Sequence, residues 1–178
     1  MDDAPSTTRI RPAGPADAAE IAAVQMRSRV ETMPYLPPQR RTHEQVTRWV
    51  EDIVLRDCRI WVAVDDGGRI LGFAALEGTM LEHLYLLPET RRRGIGSRLL
   101  DQVRRHSPDQ VTLHVFQQNT DARAFYAKHG FTVVDSTDGR GNMEKLPDLT
   151  LRWTPDRAPD GTPEGTPDGT LHGVPGER

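Results

Sequence analysis

The stretch from residue 80 to residue 103 constrains the fold most, because an apolar run leads through a glycine-containing loop into a helical pattern. Met80 to Leu87 is apolar enough to form a central strand. The apolar residues after the loop recur at helical spacing, and they are Ile95, Leu99, Leu100 and Val103. A strand, loop and amphipathic helix in this order are typical of a layered α/β domain.

The loop has the composition of an anion site. Residues 88–97 read PETRRRGIGS, so Gly94 and Gly96 fall in the first turn of the helix, where backbone N–H groups have no intrahelical acceptor. Glycines let an anion approach the backbone closely, and the helix dipole and the arginines at positions 91–93 add positive potential. The loop therefore predicts a pyrophosphate site; the alternative is a solvated arginine face with glycines that serve close packing.

Two better-known phosphate motifs do not fit this loop. A Walker loop needs Gly-Lys-Ser/Thr after a four-residue gap, and a dinucleotide fingerprint needs Gly-x-Gly-x-x-Gly after the strand. Here Gly94-x-Gly96 is followed by Ser97-Arg98-Leu99, so the third glycine is missing. The loop belongs to neither class.

The rest of the chain predicts more strands in the first half and alternating strands and helices in the second. Residues 58–64 and 69–76 are β-rich runs joined by Asp-Asp-Gly-Gly, which predicts a hairpin. Further strands are expected at residues 8–11, 111–116, 131–134 and 149–153, and helices from Ala18, after a capping box at Thr42–Gln45, and over residues 120–129. We expect an α/β fold with a mixed, mainly antiparallel sheet and helices on both faces.

Two helical patterns carry specific burial predictions. In the first helix, the positions expected in the core are Ala18, Ile21, Ala22 and Val24. In the second, the apolar stripe consists of Val46, Trp49, Val50 and Ile53. Residues 31–41 contain three prolines and no periodicity, which predicts a loop.

Composition limits the remaining possibilities. The single cysteine, Cys58, excludes a disulfide framework and a cysteine-rich metal site, and a net charge of −3 gives no footprint for nucleic acid. No apolar run has membrane-spanning length and the first residues are polar and acidic, so we expect a cytoplasmic protein without membrane partners. Residues 1–7 are expected to be flexible, and the Pro/Gly/Asp/Thr-rich residues 154–178 to be disordered.

Two motifs together resemble those of the GCN5-related N-acetyltransferase (GNAT) family. The first is Arg91-x-x-Gly94-x-Gly96 after an apolar strand. The second runs from Phe116 to Phe131 and includes Asn119, the pair Phe125-Tyr126 and the pair Gly130-Phe131. Each piece alone is a weak signal, but the combination is specific, and residues 8–153 have the element order of that fold.

This resemblance implies acetyl-CoA as the acyl donor and no metal. Main-chain groups of Leu84, Tyr85 and Leu86 are expected to pair with the pantetheine arm like an added strand. The pyrophosphate is expected at the loop and helix start, formed by Arg91, Arg92, Arg93, Gly94, Ile95, Gly96 and Ser97. Asn119 is expected to orient the arm or to cap the following helix, and Arg123 to lie near the phosphates. Many relatives have glycine where Arg92 stands.

The resemblance also implies the catalytic groups. Tyr126 stands where the family commonly has the acid that protonates the departing thiolate; the alternative is a core tyrosine. Glu82 is the leading candidate for the general base, because it lies on the strand before the loop and alternation puts it on the face of Leu84 and Leu86. His83 is the second candidate, although a structural histidine is the alternative there.

The acceptor amine stays open at this stage. Residues 31–41 are expected to wall its pocket: Met33, Tyr35 and Leu36 favour a partly apolar amine, Glu31 an ammonium, and Arg40 and Arg41 a carboxylate. A small-molecule amine and a protein amine both fit, and a homodimer through the last strands is possible. A different class of function is a catalytically silent acyl-CoA sensor or partner module. The string from Gly141 to Asp148 has no assigned role beyond a turn into the last strand.

Overall fold

The computed structural model describes residues 7–156, so the predictions for residues 1–6 and 157–178 lie outside the described part of the chain. The strands are β1 (Arg9–Pro12), β2 (Arg59–Val64), β3 (Ile70–Glu77), β4 (Met80–Leu86), β5 (Val111–Phe116), β6 (Thr132–Thr137) and β7 (Asp148–Trp153). The α-helices are α1 (Ala18–Thr32), α2 (His43–Trp49), α3 (Leu55–Asp57), α4 (Ile95–His106) and α5 (Thr120–Lys128). No helix within residues 7–156 is long and apolar enough to cross a bilayer.

All seven strands form one sheet in the order β1-β2-β3-β4-β5-β7-β6. β1 to β4 are joined antiparallel, as are β5, β7 and β6, and the two halves meet where β4 and β5 run parallel. That junction consists of one residue pair, Met80 with Thr112. Beyond this pair, the two central strands separate.

Helices cover both faces of the sheet, as predicted. Trp49 at the end of α2 contacts His83, which lies opposite Ala75 of β3. Trp61 of β2 lies opposite Ala74, the residue of β3 that directly precedes Ala75, and contacts His106 at the end of α4. Because successive residues of a strand point to opposite faces, α2 and α4 lie on opposite sides. The predicted fold class, a mixed and mainly antiparallel α/β sheet, is confirmed.

The predicted core positions of α1 and α4 are buried, but the stripe of the second helix differs from the prediction. Val46 and Val50 are buried, whereas Ile53 is 40% exposed and Val54 is 2% exposed. The cause is a π-helical turn over Val50–Val54, between α2 and α3. A π turn adds one residue to a helical turn, so the buried position after Val50 moves from i+3 to i+4.

The loop predicted over residues 31–41 begins later than expected. Helix α1 runs through Thr32, and the Thr32 hydroxyl donates a hydrogen bond to the carbonyl oxygen of Ser28. Glu31 therefore lies on a helix, where it pairs with Arg27 one turn earlier at 2.9 Å. An ion pair at this spacing favours the helical conformation of the last turn by a few tenths of a kcal/mol.

Gly72 of β3 allows close contact between β3 and β4 at Leu86, the last residue of β4. A Cβ atom at this position would lie 2.4 Å from Leu86 Cδ2 and 2.8 Å from the carbonyl oxygen of Tyr85. A side-chain atom can rotate away, but a backbone oxygen in a paired strand cannot. Any residue larger than glycine at position 72 would therefore displace β4.

We predict that Gly72→Ala lowers the free energy of unfolding by about 1–3 kcal/mol, because the added methyl group overpacks the strand pair. Urea denaturation measures the change. The matched control is Gly141→Ala, where a Cβ atom meets nothing within 4 Å, and a change within about 0.5 kcal/mol is expected. Equal stability of the two variants would contradict a rigid contact between Gly72 and β4.

Candidate active site

A cavity of about 770 Å³ occupies the gap between the separating strands β4 and β5. Its walls include residues 81–86 of β4 and residues 113–116 of β5. The start of α4 lines one part, α5 another, and the end of α1 with the loop before β7 a third. Since β4 has no partner strand on this side beyond Met80, its main-chain groups are available to an extended ligand, as the sequence analysis expected for Leu84 to Leu86.

The start of α4 has the geometry of an anion site. Gly94 is the N-cap residue with φ of +76° and contributes no side-chain cap. The N–H groups of Ile95, Gly96 and Ser97 therefore lie in the first turn without an intrahelical acceptor. Gly96 and Ser97 line the cavity, whereas the Ile95 side chain is buried in the core.

The arginines of the loop divide into two groups. Arg91 and Arg92 line the cavity, and Arg91 also pairs with Asp121 at the start of α5 at 2.9 Å. Arg93 is exposed and does not line it. The run of three arginines predicted the positive potential of the loop, but it could not predict which side chains face the ligand.

Arg92 adopts a left-handed backbone conformation with φ of +61°. This conformation costs a non-glycine residue roughly 1–2 kcal/mol. A left-handed φ favours glycine, which is consistent with the expectation that many relatives have glycine at this position. Here the chain keeps a cation at the cavity wall despite the strain.

Gly96 has a packing role in addition to its place in the loop. A Cβ atom there would lie 3.3 Å from Phe125 Cζ and 3.4 Å from Leu86 Cδ1. The missing side chain thus lets α4 lie close to both α5 and β4. The packing alternative for the glycines therefore holds for Gly96, whereas a Cβ atom on Gly94 would meet nothing within 4 Å.

Tyr126 lies on α5 and combines a core position with a cavity position. Its ring contacts Phe125 and Phe131, the residue is 8% exposed, and it lines the cavity. Burial, reinforced by the neighbouring Tyr85 phenol, raises the pKa of Tyr126. The hydroxyl therefore stays protonated near neutral pH and is available as a proton donor.

Glu82 lies at a β-bulge. Leu81 pairs with Leu76 and His83 with Ala75, so Glu82 is the extra residue of β4. The simple alternation that grouped Glu82 with Leu84 and Leu86 is interrupted here, although all three residues line the cavity. Glu82 lines the cavity, and its pKa is raised by burial and by the nearby Glu77, while His114 acts in the opposite direction.

His83 is held among aromatic rings. It contacts Trp49 edge-on at 5.4 Å between ring centroids and stacks on Tyr85 at 6.0 Å. Burial lowers the pKa of His83 to about 4, so the ring is neutral near neutral pH. His83 also lines the cavity, but its surroundings are those of a packed histidine.

The two remaining predicted residues lie in different places. Asn119 lines the cavity and caps α5, because its Oδ1 accepts a hydrogen bond from the N–H of Ala122 at 3.2 Å. Arg123 does not line the cavity; its guanidinium donates to the carbonyl oxygen of Gln117 at 3.0 Å. The structure thus brings Asn119 together with Tyr126 and the α4 loop, but not Arg123.

Sequence reasoning missed the end of the cavity formed by the loop before β7. Asn142 and Glu144 from this loop and Asp148, the first residue of β7, line the cavity. Glu144 pairs with Arg29 of α1, with 3.3 Å between Oε1 and Nη2. The string from Gly141 to Asp148 stood out in the sequence, but a pair separated by 115 residues gives no local signal.

The acceptor wall expected from residues 31–41 is only partly present. Met33 lines the cavity, and Tyr35 packs edge-on against Phe116 of β5. Glu31, Arg40 and Arg41 do not line it. Within residues 7–156, no group of three or more His, Cys, Asp or Glu side chains is arranged as a candidate metal site.

Comparison with known proteins matches residues 56–133 to the acetyltransferase (GNAT) domain family. Peptidyl-lysine N-acetyltransferase YiaC of Escherichia coli is 38% identical over 105 residues, which cover 58% of this chain and 69% of YiaC. Peptidyl-lysine N-acetyltransferase YjaB of the same organism is 31% identical over 133 residues, covering 73% and 83% of the two chains.

Solved structures agree with these matches. The apo form of YjaB has a TM-score of 0.67 at 26% identity, over 83% of this chain and 97% of that chain. PaiA N-acetyltransferase of Thermoplasma acidophilum, solved in complex with coenzyme A, has a TM-score of 0.64 at 23% identity, over 83% and 99%. With the cleft between β4 and β5 and the glycine loop at the start of α4, these similarities establish that the chain belongs to the GNAT family of N-acetyltransferases.

Proposed function

We propose that this protein transfers an acetyl group from acetyl-CoA to a primary amine, by direct attack within a ternary complex. The observation that carries the proposal is the single cavity that contains the α4 loop, the unpaired edge of β4, Tyr126 and Glu82. An acyl-CoA needs these features in one place: donors for its pyrophosphate, main-chain groups for its arm, and proton-transfer groups at its thioester. The complex of PaiA with coenzyme A supports the same donor.

In the proposed reaction, the acceptor reacts as the neutral amine, and Glu82 accepts one proton from its nitrogen, directly or through water, as the amide forms. The amine nitrogen forms a bond to the thioester carbonyl carbon, and the bond from that carbon to sulfur breaks. The Tyr126 hydroxyl donates its proton to the departing thiolate. A phenol and a thiol have similar ordinary pKa values, and the burial that raises the pKa of Tyr126 also disfavours a thiolate in the same cavity, so this last transfer is not steeply uphill.

For the acceptor, we propose the lysine side chain of a protein or a small primary amine of similar shape. YiaC and YjaB are named peptidyl-lysine N-acetyltransferases, which favours the first. Steady-state release of CoA thiol from acetyl-CoA, measured over lysine peptides and small amines, tests the function. Amine-dependent release is expected, whereas binding of CoA without it would favour the acyl-CoA sensor.

We predict that Tyr126→Phe lowers kcat by about 10²-fold or more, because a general acid typically contributes ~10²–10⁴-fold. Stopped or continuous thiol assays measure the change with saturating acetyl-CoA. The control is Tyr35→Phe, which removes a buried hydroxyl without a hydrogen-bond partner in the described residues and outside the cavity. Unchanged turnover in Tyr126→Phe would remove the acid role.

We predict that kcat decreases as the pH is lowered, and that this decrease begins at a higher pH than the pKa of an ordinary glutamate would predict. A base must be ionised, and burial raises the pKa of Glu82, so its ionised form is lost earlier as pH falls. Glu82→Gln should lower kcat by ~10²–10⁴-fold and abolish this limb of the kcat–pH profile.

Glu77→Gln provides the matched control for that profile. Glu77 does not line the cavity, but its charge contributes to the raised pKa of Glu82. Its removal should retain the maximal rate and move the acidic limb to lower pH. If the wild-type protein, Glu82→Gln and Glu77→Gln all had the same acidic limb in the kcat–pH profile, Glu82 would not be the group that controls it.

A further inference from the structure

The charged side chains that line the cavity come from different elements according to sign, apart from Asp121 of α5, which is already paired with Arg91. The arginine and lysine side chains that line it, Arg91, Arg92 and Lys128, come from the α4 loop and α5. The carboxylates at the part formed by β4, the loop before β7 and the first residue of β7 are Glu82, Glu144 and Asp148. Under the proposed function, the first part receives the phosphates of CoA, so the second part receives the acceptor.

Glu144 is the carboxylate best placed to bind an acceptor group other than the reacting amine. Of the Arg29–Glu144 pair, only Glu144 lines the cavity. The side chains are 20% and 23% exposed, so the pair is largely removed from solvent screening. What this wall presents to a ligand is therefore the carboxylate, with Arg29 behind it.

Arg29 positions the Glu144 carboxylate but does not use all of its hydrogen-bonding capacity. Their single contact involves Oε1 at 3.3 Å, which is longer than the roughly 2.7–2.9 Å of a strong charge-assisted hydrogen bond. Within residues 7–156, the second oxygen of Glu144 accepts no hydrogen bond. That oxygen is available to a donor in the cavity.

Asp148 adds negative charge beside this wall. Its two oxygens accept hydrogen bonds from the Thr137 hydroxyl and from Asn142 Nδ2, both of which are uncharged donors. The Asn142 side chain also donates a hydrogen bond to the carbonyl oxygen of Leu146 and accepts one from the N–H of Leu146, which fixes the loop. No cation within the described residues neutralises Asp148, so Arg29 alone does not balance the two carboxylates.

Glu144, Tyr85 and Tyr126 line the same cavity. Burial raises the pKa of Tyr85, the charge of Arg29 lowers it and the charge of Glu144 raises it. The Arg29–Glu144 pair is therefore within electrostatic reach of Tyr85. Under the proposed function, an acceptor whose amine reaches the thioester near Tyr126 shares this cavity with Glu144.

We propose that Glu144, positioned by Arg29, binds a second cationic group of the acceptor, so that the preferred substrates are dicationic: a diamine, or a lysine with a basic neighbour. The inference rests on the proposed function, since it assigns the acceptor part of the same cavity. A substrate with one amine leaves the Glu144 oxygen without a charged partner. A hydrogen bond between charged groups contributes about 1.5–3 kcal/mol, which corresponds to roughly 10–100-fold in kcat/KM.

The test compares acceptors matched in length. The small-molecule arm uses diaminobutane against n-butylamine, and the peptide arm uses a capped peptide with one lysine between alanines against the same peptide with one flanking arginine. We expect the dicationic member to have a kcat/KM about tenfold or more higher, expressed mainly in KM. The arm with the larger ratio identifies the source of the second charge.

Three variants assign the preference to Glu144. Glu144→Gln should bring the ratio of kcat/KM values for the two acceptors close to one, and Glu144→Asp should restore part of it. The control Asp138→Asn removes an exposed acid of the same loop that pairs with Arg140 and does not line the cavity, and it should keep the wild-type ratio. Circular dichroism on heating checks that each variant is folded.

Equal kcat/KM values for the matched acceptors in the wild-type protein would overturn the inference, as would a ratio that Glu144→Gln leaves intact. Failure of the proposed function has a different signature, which is no thiol release with any amine. In that case, calorimetry of diaminobutane binding to the CoA-loaded protein decides the inference by itself. Binding that Glu144→Gln weakens about tenfold supports it, and absence of binding contradicts it.

Discussion

The lost pairing between β4 and β5 is the constraint on which the rest of the site depends. A parallel pair that continued beyond Met80 and Thr112 would satisfy the main-chain groups of both strands and close the sheet. Because the strands separate, the sheet has an internal edge, and unpaired backbone groups away from water are costly. The fold keeps this edge because helices and a loop surround it and leave a cavity of ligand size.

The elements around this gap each contribute a different kind of chemistry. The start of α4 contributes backbone donors, α5 contributes a buried phenol, and the bulge in β4 contributes a carboxylate with a raised pKa. These groups come from distant parts of the sequence, and Gly96 permits the close packing that brings α4, α5 and β4 together. Gly72 has the corresponding role within the sheet, where it keeps β4 close to β3 at the residue before the loop.

Local patterns in the sequence predicted most of the fold, and combined motifs predicted the family. Strand and helix periods, the capping box at Thr42 and the hairpin glycines depend on neighbouring residues, and the structure has these elements within a few residues of the predicted bounds. Two deviations that add a single residue were not predictable. The π turn exchanges Ile53 for Val54 in the core, and the bulge interrupts the alternation at Glu82, because packing against another element decides both. The Arg29–Glu144 pair joins residues too far apart for any local pattern to indicate it.

The π turn after α2 has a consequence for how such a site can diversify. It is equivalent to one residue inserted into an otherwise regular helix, and Trp49 at its start contacts His83, the neighbour of Glu82. Deletion of one residue in Val50–Val54 would restore the regular repeat, and the buried position after Val50 would return from i+4 to i+3 without a rotation of α2 relative to α3. The helix can thus change its length by one residue at the π turn while Trp49 keeps its contact with His83 and every strand keeps its register.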